Sequence, residues 1–235
     1  AALAVCEATF AKVAAGFAEE LAPAIDRIWQ DEIDRIRTNL RGWIRRESES
    51  SESWIPIHRE YTFGMRPRGP ADPDSVLDEA VLANGLRLRG AIDLVEKGED
   101  GRARITDYKS GKAWVPPGAV VNGGETLQPV LYALAFESVT GREVAESRLY
   151  YCTDIGGFEQ RRIVPDEEAL GVVDEFQRRL DTIIAEGFFP ASPKPTFGCR
   201  FCDYRLVCGP RAEVDATRKQ KDSRLSPLNW LRNLT

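Results

Sequence analysis

The stretches GAID (residues 90–93) and TDYK (residues 106–109) decide the fold, together with the intervening EKGEDGR (residues 96–102). Residues 86–96 and 102–109 have the residue pattern of strands. The segment between them contains two glycines and an aspartate, which suit a tight turn. We therefore predict a β-hairpin that carries one motif on each strand.

The predicted hairpin brings charged side chains from two strands together. Because side chains alternate between the faces of a strand, Asp107 and Lys109 project from one face and Tyr108 from the other. Asp93 lies on the neighbouring strand, so two carboxylates and an ammonium group form a candidate site for a hard divalent cation. Lys109 could orient the attacking water and stabilise the transition state, and Glu60, on the preceding strand, is a further candidate ligand. The alternative is that these charges only face solvent on the outside of a sheet.

The rest of the chain predicts an α/β protein. Apolar residues recur at helical spacing over residues 3–47, with a break at Pro23, and the acidic stretch ESESSES (47–53) is predicted to be a solvated loop. Further predicted elements are strands at 54–63, 144–152 and 158–164, helices at 125–138, 166–186 and 225–234, and a loop at 110–124. This order predicts one domain around a mixed sheet.

Composition excludes several classes of protein. Of the 235 residues, 43% are hydrophobic and 29% are charged, which is globular usage and unlike that of a disordered chain. The net charge of −5 excludes a uniformly basic nucleic-acid binder. No run approaches the roughly 18 apolar residues of a membrane helix, and no secretory signal opens the chain, so we expect a cytoplasmic protein with no membrane partner. Because the chain begins at Ala1 and has one methionine, Met65, we expect a fragment of a longer protein.

Two further polar residues lie on a predicted helix. Gln128 and Tyr132 share one helix face because they are four residues apart. Together, GAID, DYK and Q-x-x-x-Y form an ordered set that resembles the PD-(D/E)XK nuclease superfamily, and more specifically its RecB-like branch, which also occurs in AddB-type helicase–nuclease subunits. Without the acidic residues and the lysine, a helix that only packs through Leu131 and Leu134 would be the better interpretation.

The resemblance implies a restriction-endonuclease-like fold, in which a central mixed β-sheet is flanked by helices and followed by a cysteine-rich segment. The implied ligands of Mg²⁺ or Mn²⁺ are Glu60, Asp93, Asp107 and the carbonyl of Tyr108. The implied catalytic residues are Asp93, Asp107, Lys109, Gln128 and Tyr132. Among them Lys109 would be the catalytic lysine, and the glutamine and tyrosine would position it and the DNA backbone. Glu60 belongs to EYTFG, which is similar to an E-x-x-FG strand of the RecB-like branch.

Five cysteines occur, at positions 6, 152, 199, 202 and 208. The last three form a compact Cys-x2-Cys-x5-Cys cluster, a spacing that in an intracellular protein favours metal binding over disulfides. A zinc site or an iron–sulfur cluster requires four ligands. The segment CRFCDYRLVCG again resembles the RecB-like branch, where three C-terminal cysteines and a distant upstream one hold a [4Fe–4S] cluster. The resemblance therefore implies that Cys199, Cys202 and Cys208 bind such a cluster in the intact protein.

The fourth cluster ligand stays open. In the RecB-like branch the upstream cysteine precedes the first helix and a G-x-x-x-H motif follows it, and neither is recognisable here; the single histidine is His58. We expect the chain to begin downstream of both motifs, so that the fourth cysteine is missing. Cys6 is an alternative fourth ligand, whereas Cys152 is predicted to be a small buried residue.

The C-terminal segment differs in charge from the rest. Residues 194–235 contain nine basic and four acidic residues, a local net charge of +5. Such a stretch could contact phosphates, and Trp114, Phe201 and Tyr204 could stack on bases of single strands. The alternative is a solvated tail with a few packed aromatic residues. We expect one domain with an N-terminal helical part (1–53), a nuclease core (54–190) and a cysteine-rich basic segment that packs on the core (191–235).

The leading functional hypothesis is a metal-dependent DNA nuclease that acts on single strands or duplex ends, as an exonuclease or end-processing enzyme of DNA repair and recombination. By resemblance its partner is a helicase domain or subunit, since the chain lacks the G-x-x-x-x-G-K-[ST] motif of a Walker-type ATPase. The alternative is a catalytically silent domain of the same fold that binds DNA or acts as a scaffold. A third hypothesis is a zinc-binding interaction module attached to an unrelated α/β domain.

Overall fold

The two motif-bearing segments form an antiparallel pair, as predicted. The structure is a computed structural model that describes residues 2–67, 69, 72–190, 199 and 202–234. The chain divides into two units. The first unit comprises Ala1–Gly118 and Gln128–Pro165, and the second comprises Ala119–Leu127 and Asp166–Thr235. Both motifs lie in the first unit.

The first unit contains three helices and seven strands among its described residues. The helices are α1 (Ala2–Leu21), α2 (Asp26–Glu49) and α3 (Gln128–Thr140), and the strands are β1 (Ile55–Phe63), β2 (Ala80–Val81), β3 (Arg87–Leu88), β4 (Gly90–Lys97), β5 (Ala103–Lys109), β6 (Val144–Tyr151) and β7 (Gln160–Ile163). The predicted break at Pro23 separates α1 from α2. Helix α3 begins three residues later than predicted, with Pro129 in its first turn, where a missing N–H costs no helical hydrogen bond.

Five strands form a mixed sheet in the order β1-β4-β5-β6-β7. Neighbouring strands are antiparallel except β5 and β6, which run parallel. A parallel pair needs a crossover connection, and α3 lies on the crossover between these two strands. Strands β2 and β3 form a separate two-stranded sheet. The mixed sheet and its helices confirm the predicted α/β, restriction-endonuclease-like architecture.

The core of the first unit lies between α3 and one face of the sheet. Its largest apolar members are Tyr61, Phe63, Ile92, Val95, Ile105 and Phe136. Burial of each such side chain contributes about 1.5–3 kcal/mol, which fixes α3 against β1, β4 and β5. On the opposite face, Trp43 of α2 packs edge-on against Tyr108 of β5, with ring centroids 5.4 Å apart. Helices α2 and α3 therefore lie on opposite faces of the sheet.

A network of buried ion pairs lies on the same face of the sheet as the side chain of Tyr108. Arg104 donates to the two carboxylate oxygens of Glu96 at 2.7 and 2.9 Å. Arg148, whose side chain is 1% exposed, donates to Thr106 Oγ1 at 2.8 Å and lies 3.4 Å from Glu96 Oε2. Arg104 also pairs with Glu52 at 2.5 Å. The prediction of a solvated loop at residues 47–53 holds for residues 50–53, which are exposed and outside any helix or strand, but α2 includes the first three of these residues and Glu52 pairs with a buried arginine.

The second unit is helical in its described part. Its helices are α4 (Glu167–Ala185), α5 (Arg205–Cys208), α6 (Ala212–Lys219) and α7 (Ser226–Arg232), and α4 and α7 confirm the predictions for 166–186 and 225–234. Asp166 caps α4 by accepting the N–H of Ala169 at 2.9 Å, a standard N-cap contact. Within the described part of the chain, no helix is both long and apolar enough to cross a membrane.

Candidate active site

The candidate site begins where the pairing of β4 with β5 ends, at Leu94–Thr106. Just beyond this pair, Oδ2 of Asp93 accepts the backbone N–H of Tyr108 at 2.7 Å. Strand β5 itself stays paired with β6 as far as Lys109. The carboxylate of Asp93 is thus held against β5 at the point where the two strands part.

Asp107 and Lys109 project from the same face of β5, as predicted. Lys109 Nζ lies 2.6 Å from Asp107 Oδ2, and the two side chains are 35% and 8% exposed. Burial raises the pKa of Asp107, Lys109 opposes that rise, and the charge of Asp93 adds to it. A raised pKa means that the ionised carboxylate lacks sufficient stabilising partners. An additional cation would therefore stabilise it.

Helix α3 supplies two polar side chains to the same group. Lys109 Nζ donates to Gln128 Oε1 at 2.9 Å, and Gln128 Nε2 donates to the hydroxyl oxygen of Tyr132 at 3.3 Å. These contacts form a continuous polar chain that runs from the carboxylate of Asp107 to the phenol of Tyr132. The four side chains singled out on β5 and α3 therefore lie together in the structure.

Gly90 has a role that the sequence motif alone did not reveal. A Cβ atom at this position would lie 3.0 Å from the ring of Tyr132 and 3.1 Å from that of Phe63. The two rings pack edge to face at 6.1 Å between centroids, and they occupy the space that a side chain on Gly90 would need. A glycine inside a predicted strand is the signal for such a close approach.

Glu60 is less closely placed than the other candidates. It lies on β1 level with Asp93, since the residues on either side of it pair with Leu94 and Ile92. Its φ of 52° is left-handed, a conformation that costs a non-glycine residue roughly 1–2 kcal/mol. Among the described residues, Glu60, Asp93 and Asp107 do not bring three ligand oxygens within 4.8 Å of one another. The structure brings Asp93, Asp107 and Lys109 together, and Glu60 does not complete this group.

The donor set fits a hard divalent cation. Carboxylate and carbonyl oxygens are the ligands that Mg²⁺ and Mn²⁺ prefer, and Asp93, Asp107 and the Tyr108 carbonyl lie at the ends of two adjacent strands. Asp107 Oδ2 is buried, and its contact with Lys109 Nζ lacks hydrogen-bond geometry. This oxygen therefore retains lone pairs for a cation.

A second group of possible ligands comprises one residue of β1 and two from the segment that follows it. His58, Asp72 and Asp74 have ligand atoms within 4.8 Å of one another, the one such group in the part of the chain that the structure describes. Asp72 accepts the N–H groups of Arg59 and Asp74 and contacts His58 Nδ1 at 3.0 Å, and despite partial burial these partners lower its pKa. Because these contacts satisfy Asp72 within the protein, we assign this group to fastening the segment after residue 71 to β1. The sequence offers no motif for this group beyond the single histidine, His58.

The three clustered cysteines line one cavity in the second unit. Its volume is about 550 Å³, and its other walls are mostly apolar, including Ile183 and Phe188. The second unit has no further cysteine, and no three ligand atoms of its described residues converge within 4.8 Å. The cavity thus brings Cys199, Cys202 and Cys208 together without an assembled four-ligand site.

The two remaining cysteines belong to the first unit. Cys6 lies on α1. Cys152, predicted to be a small buried residue, is partly buried, and its N–H donates to the carbonyl of Lys109 at 3.0 Å. Burial raises the pKa of its thiol, which disfavours the reactive thiolate.

The basic C-terminal segment is described in part. Lys194, Arg200 and Phe201 lie outside the described residues. Arg205 pairs with Glu213 at 3.0 Å and Arg224 with Asp222 at 2.6 Å, so part of its positive charge is neutralised locally. The predicted contact of this segment with phosphates stays a prediction.

Comparison with known families supports the interpretation of the motifs. The family model of the PD-(D/E)XK nuclease superfamily matches residues 1–209, a range that includes both strand motifs, α3 and the three clustered cysteines. In a comparison with curated proteins, none matched the chain at a significant level.

Proposed function

Because the chain belongs to the PD-(D/E)XK nuclease superfamily, whose members are metal-dependent nucleases, we propose that it hydrolyses phosphodiester bonds of DNA between β4, β5 and α3, with Mg²⁺ or Mn²⁺ as its cofactor. The observation that carries this proposal is the polar chain from Asp107 through Lys109 and Gln128 to Tyr132. A lysine that only faced solvent would not require partners on both a strand and a helix to hold its ammonium group.

In this proposal Asp93, Asp107 and the Tyr108 carbonyl hold the divalent cation, and Glu60 joins them from β1. When bound, the cation supplies positive charge to the scissile phosphate and makes the attacking water more acidic. The N–H of Tyr108 keeps the Asp93 carboxylate turned toward β5. This ligand is therefore oriented before substrate arrives.

Lys109 is the proposed catalytic lysine. An ammonium group has three N–H donors. Lys109 Nζ donates one of them to Gln128 and lies 2.6 Å from Asp107 Oδ2, and a remaining donor can reach the attacking water or a non-bridging phosphate oxygen. Stabilisation of developing negative charge by a fixed donor is a large contribution to such reactions. Gln128 and Tyr132 act by holding this lysine and by contacting the DNA backbone.

The role of the Glu60 carboxylate as a ligand can be tested separately from the strain of its left-handed backbone. We expect E60A and E60G to lose metal-dependent cleavage to the same extent, because both lack the carboxylate. E60G should be more stable than E60A by about 1 kcal/mol, since glycine adopts the left-handed conformation without strain. Cleavage rates and urea unfolding of both variants check this. Wild-type cleavage by either variant would exclude Glu60 as a ligand.

The RecB-like assignment is a finer part of the proposal. It is supported by the order of the motifs and by the three cysteines that share one cavity. It implies action on single strands or duplex ends, a role in DNA repair or recombination, and a helicase domain or subunit as partner. It also implies a [4Fe–4S] cluster, for which the second unit supplies three of the four ligands.

We expect a cluster to form only where a fourth ligand is supplied from outside the second unit. After anaerobic purification, iron and acid-labile sulfide should be present in equal amounts, up to about four atoms of each per molecule, and C6S should lose them where Cys6 supplies the fourth ligand. C202S should lose the iron and lower thermal stability. Stoichiometric zinc without iron would instead support a zinc-binding module.

The nuclease proposal is tested with three labelled substrates: linear single-stranded, circular single-stranded and blunt duplex DNA. With Mn²⁺ present, we expect cleavage of the linear single strand, and we expect a chelator to abolish it. Resistance of the circle would indicate an exonuclease. Binding of DNA without metal-dependent cleavage of any substrate, by a folded protein, would instead support a catalytically silent domain.

A further inference from the structure

The loop that follows the proposed catalytic lysine exposes a tryptophan. Residues 110–118 leave the end of β5, and Trp114 on this loop is 58% exposed, whereas the next residue, Val115, is 2% exposed. Five residues of chain span at most about 18 Å, so Trp114 lies within that distance of Lys109.

The backbone around Trp114 is held in place by neighbouring segments. Arg161 of β7 donates from Nε to the carbonyl of Val115 at 2.6 Å, and Thr153 Oγ1 donates to the carbonyl of Ser110 at 3.1 Å. Within the loop, the N–H of Trp114 donates to the carbonyl of Lys112 at 2.9 Å. The loop is therefore anchored on both sides of the indole, which nevertheless faces solvent.

The exposure of Trp114 sets it apart from the other tryptophans. The chain has five, all within the described residues, and the other four, Trp29, Trp43, Trp54 and Trp230, are half-buried. Trp43 packs against Tyr108, and Trp54 lies beneath the guanidinium of Arg104. These two rings serve packing, whereas the ring of Trp114 is mostly left to solvent.

The chemistry of this loop suits an unpaired base. An exposed indole offers a flat face on which any base can stack, and a nearby cation attracts the phosphate backbone. Lys112, two residues before Trp114, is exposed. Bases in a duplex are already stacked on one another and are not available to such a ring. The surface therefore favours a single strand over a duplex.

We propose that Trp114 and Lys112 form a stacking platform for an unpaired base of the substrate strand, within about 18 Å of Lys109. This inference rests on the proposed function and deepens it by naming the substrate as single-stranded. Trp114 binds the base and Lys112 the adjoining phosphate.

The test measures binding without cleavage. In the D107N background, fluorescence anisotropy compares a labelled 15-nucleotide thymidine strand with a blunt duplex of equal length, at fixed salt and with Mg²⁺. We expect W114A to weaken single-strand binding about 5- to 100-fold, as removal of a stacked aromatic does, and W114F to retain most of it. Duplex binding should not change. F189A, which removes another aromatic that is 73% exposed, is the matched control.

Several outcomes would overturn the platform. W114A would then bind the single strand as wild type does, or it would lose affinity equally for the single strand and the duplex. A change in the oligomeric state of W114A would also overturn it, because this surface would then be a protein interface. Binding that survives replacement of the bases by abasic sites would also contradict stacking. If wild type fails to cut DNA but shows Trp114-dependent strand binding, the platform stands and the proposed nuclease activity fails.

Discussion

Replacement of Lys109 by alanine should reduce metal-dependent DNA cleavage by about 10³-fold, the loss that accompanies removal of one fixed donor to transition-state charge. Divalent-metal binding should be retained. The ammonium group is itself positive, so its removal takes away a charge that repels the incoming cation. Asp107 would lose the neighbour that opposes the rise of its pKa. We therefore also expect the acid limb of any residual activity to move to higher pH.

Single-turnover cleavage of a linear single strand, together with Mn²⁺ titration calorimetry, measures both parts of this prediction. K97A is the control, because Lys97 is an exposed lysine on the adjacent strand β4; it should cut at the wild-type rate. A K109A variant that cuts normally would show that Lys109 is not the catalytic lysine. A variant that fails to bind Mn²⁺ would place Lys109 in the structure of the metal site instead.

Substitution of Glu96 by glutamine should lower the free energy of unfolding of the first unit by about 3–5 kcal/mol, the cost of breaking a buried ion pair from one side. Glu96 accepts two hydrogen bonds from Arg104 and lies 3.4 Å from Arg148. Burial and the neighbouring Arg104 lower the pKa of Arg148, so its charge already lacks stabilising partners. Loss of the shared carboxylate charge would leave the buried guanidinium group of Arg148 poorly compensated and would leave Arg104 to the more exposed carboxylates of Glu52 and Glu146.

Urea unfolding followed by tryptophan fluorescence measures this effect, since Trp54 contacts Arg104. E99Q makes the same chemical change at an exposed position in the hairpin turn, and it should stay within about 0.5 kcal/mol of wild type. The difference should persist in 1 M salt, because buried pairs are weakly screened. An E96Q variant within about 1 kcal/mol of wild type would show that the network contributes little to stability.

The arrangement of Asp107 and Lys109 could be predicted because it depends on the two-residue period of a strand alone. The hairpin was predictable from its turn residues, and the position of Gln128 beside Tyr132 from helical spacing. These features are local. The predictions of these three features depended only on neighbours in the chain, and the structure agrees with them.

Features that depend on distant partners could not be predicted. The acidic run that contains Glu52 looks like a solvated loop, yet Glu52 meets Arg104, 52 residues away. The apolar spacing of Val13, Phe17 and Leu21 correctly predicted a helix. It did not predict that these side chains are 49%, 51% and 61% exposed, because periodicity identifies an apolar face and not what covers it.

The roles of the site residues have a different basis. Proximity of Asp93, Asp107 and Lys109 follows from the fold, whereas assignment of a metal to them comes from the family. One long-range contact has a signal in the motif: Gly90, a glycine inside a strand, admits the ring of Tyr132 because it has no side chain.

The most direct test of the central claim is D107N beside wild type, with cleavage and thermal unfolding measured on the same preparations. Because burial raises the pKa of Asp107 in the folded protein, the folded state holds this proton more tightly than the unfolded state, and the ionised carboxylate lowers stability at neutral pH. We therefore predict that wild type cuts a linear single strand only with Mn²⁺ or Mg²⁺. D107N should lose this activity by at least about 10³-fold while melting at a higher temperature in chelator. Cleavage by D107N at the wild-type rate would contradict the account.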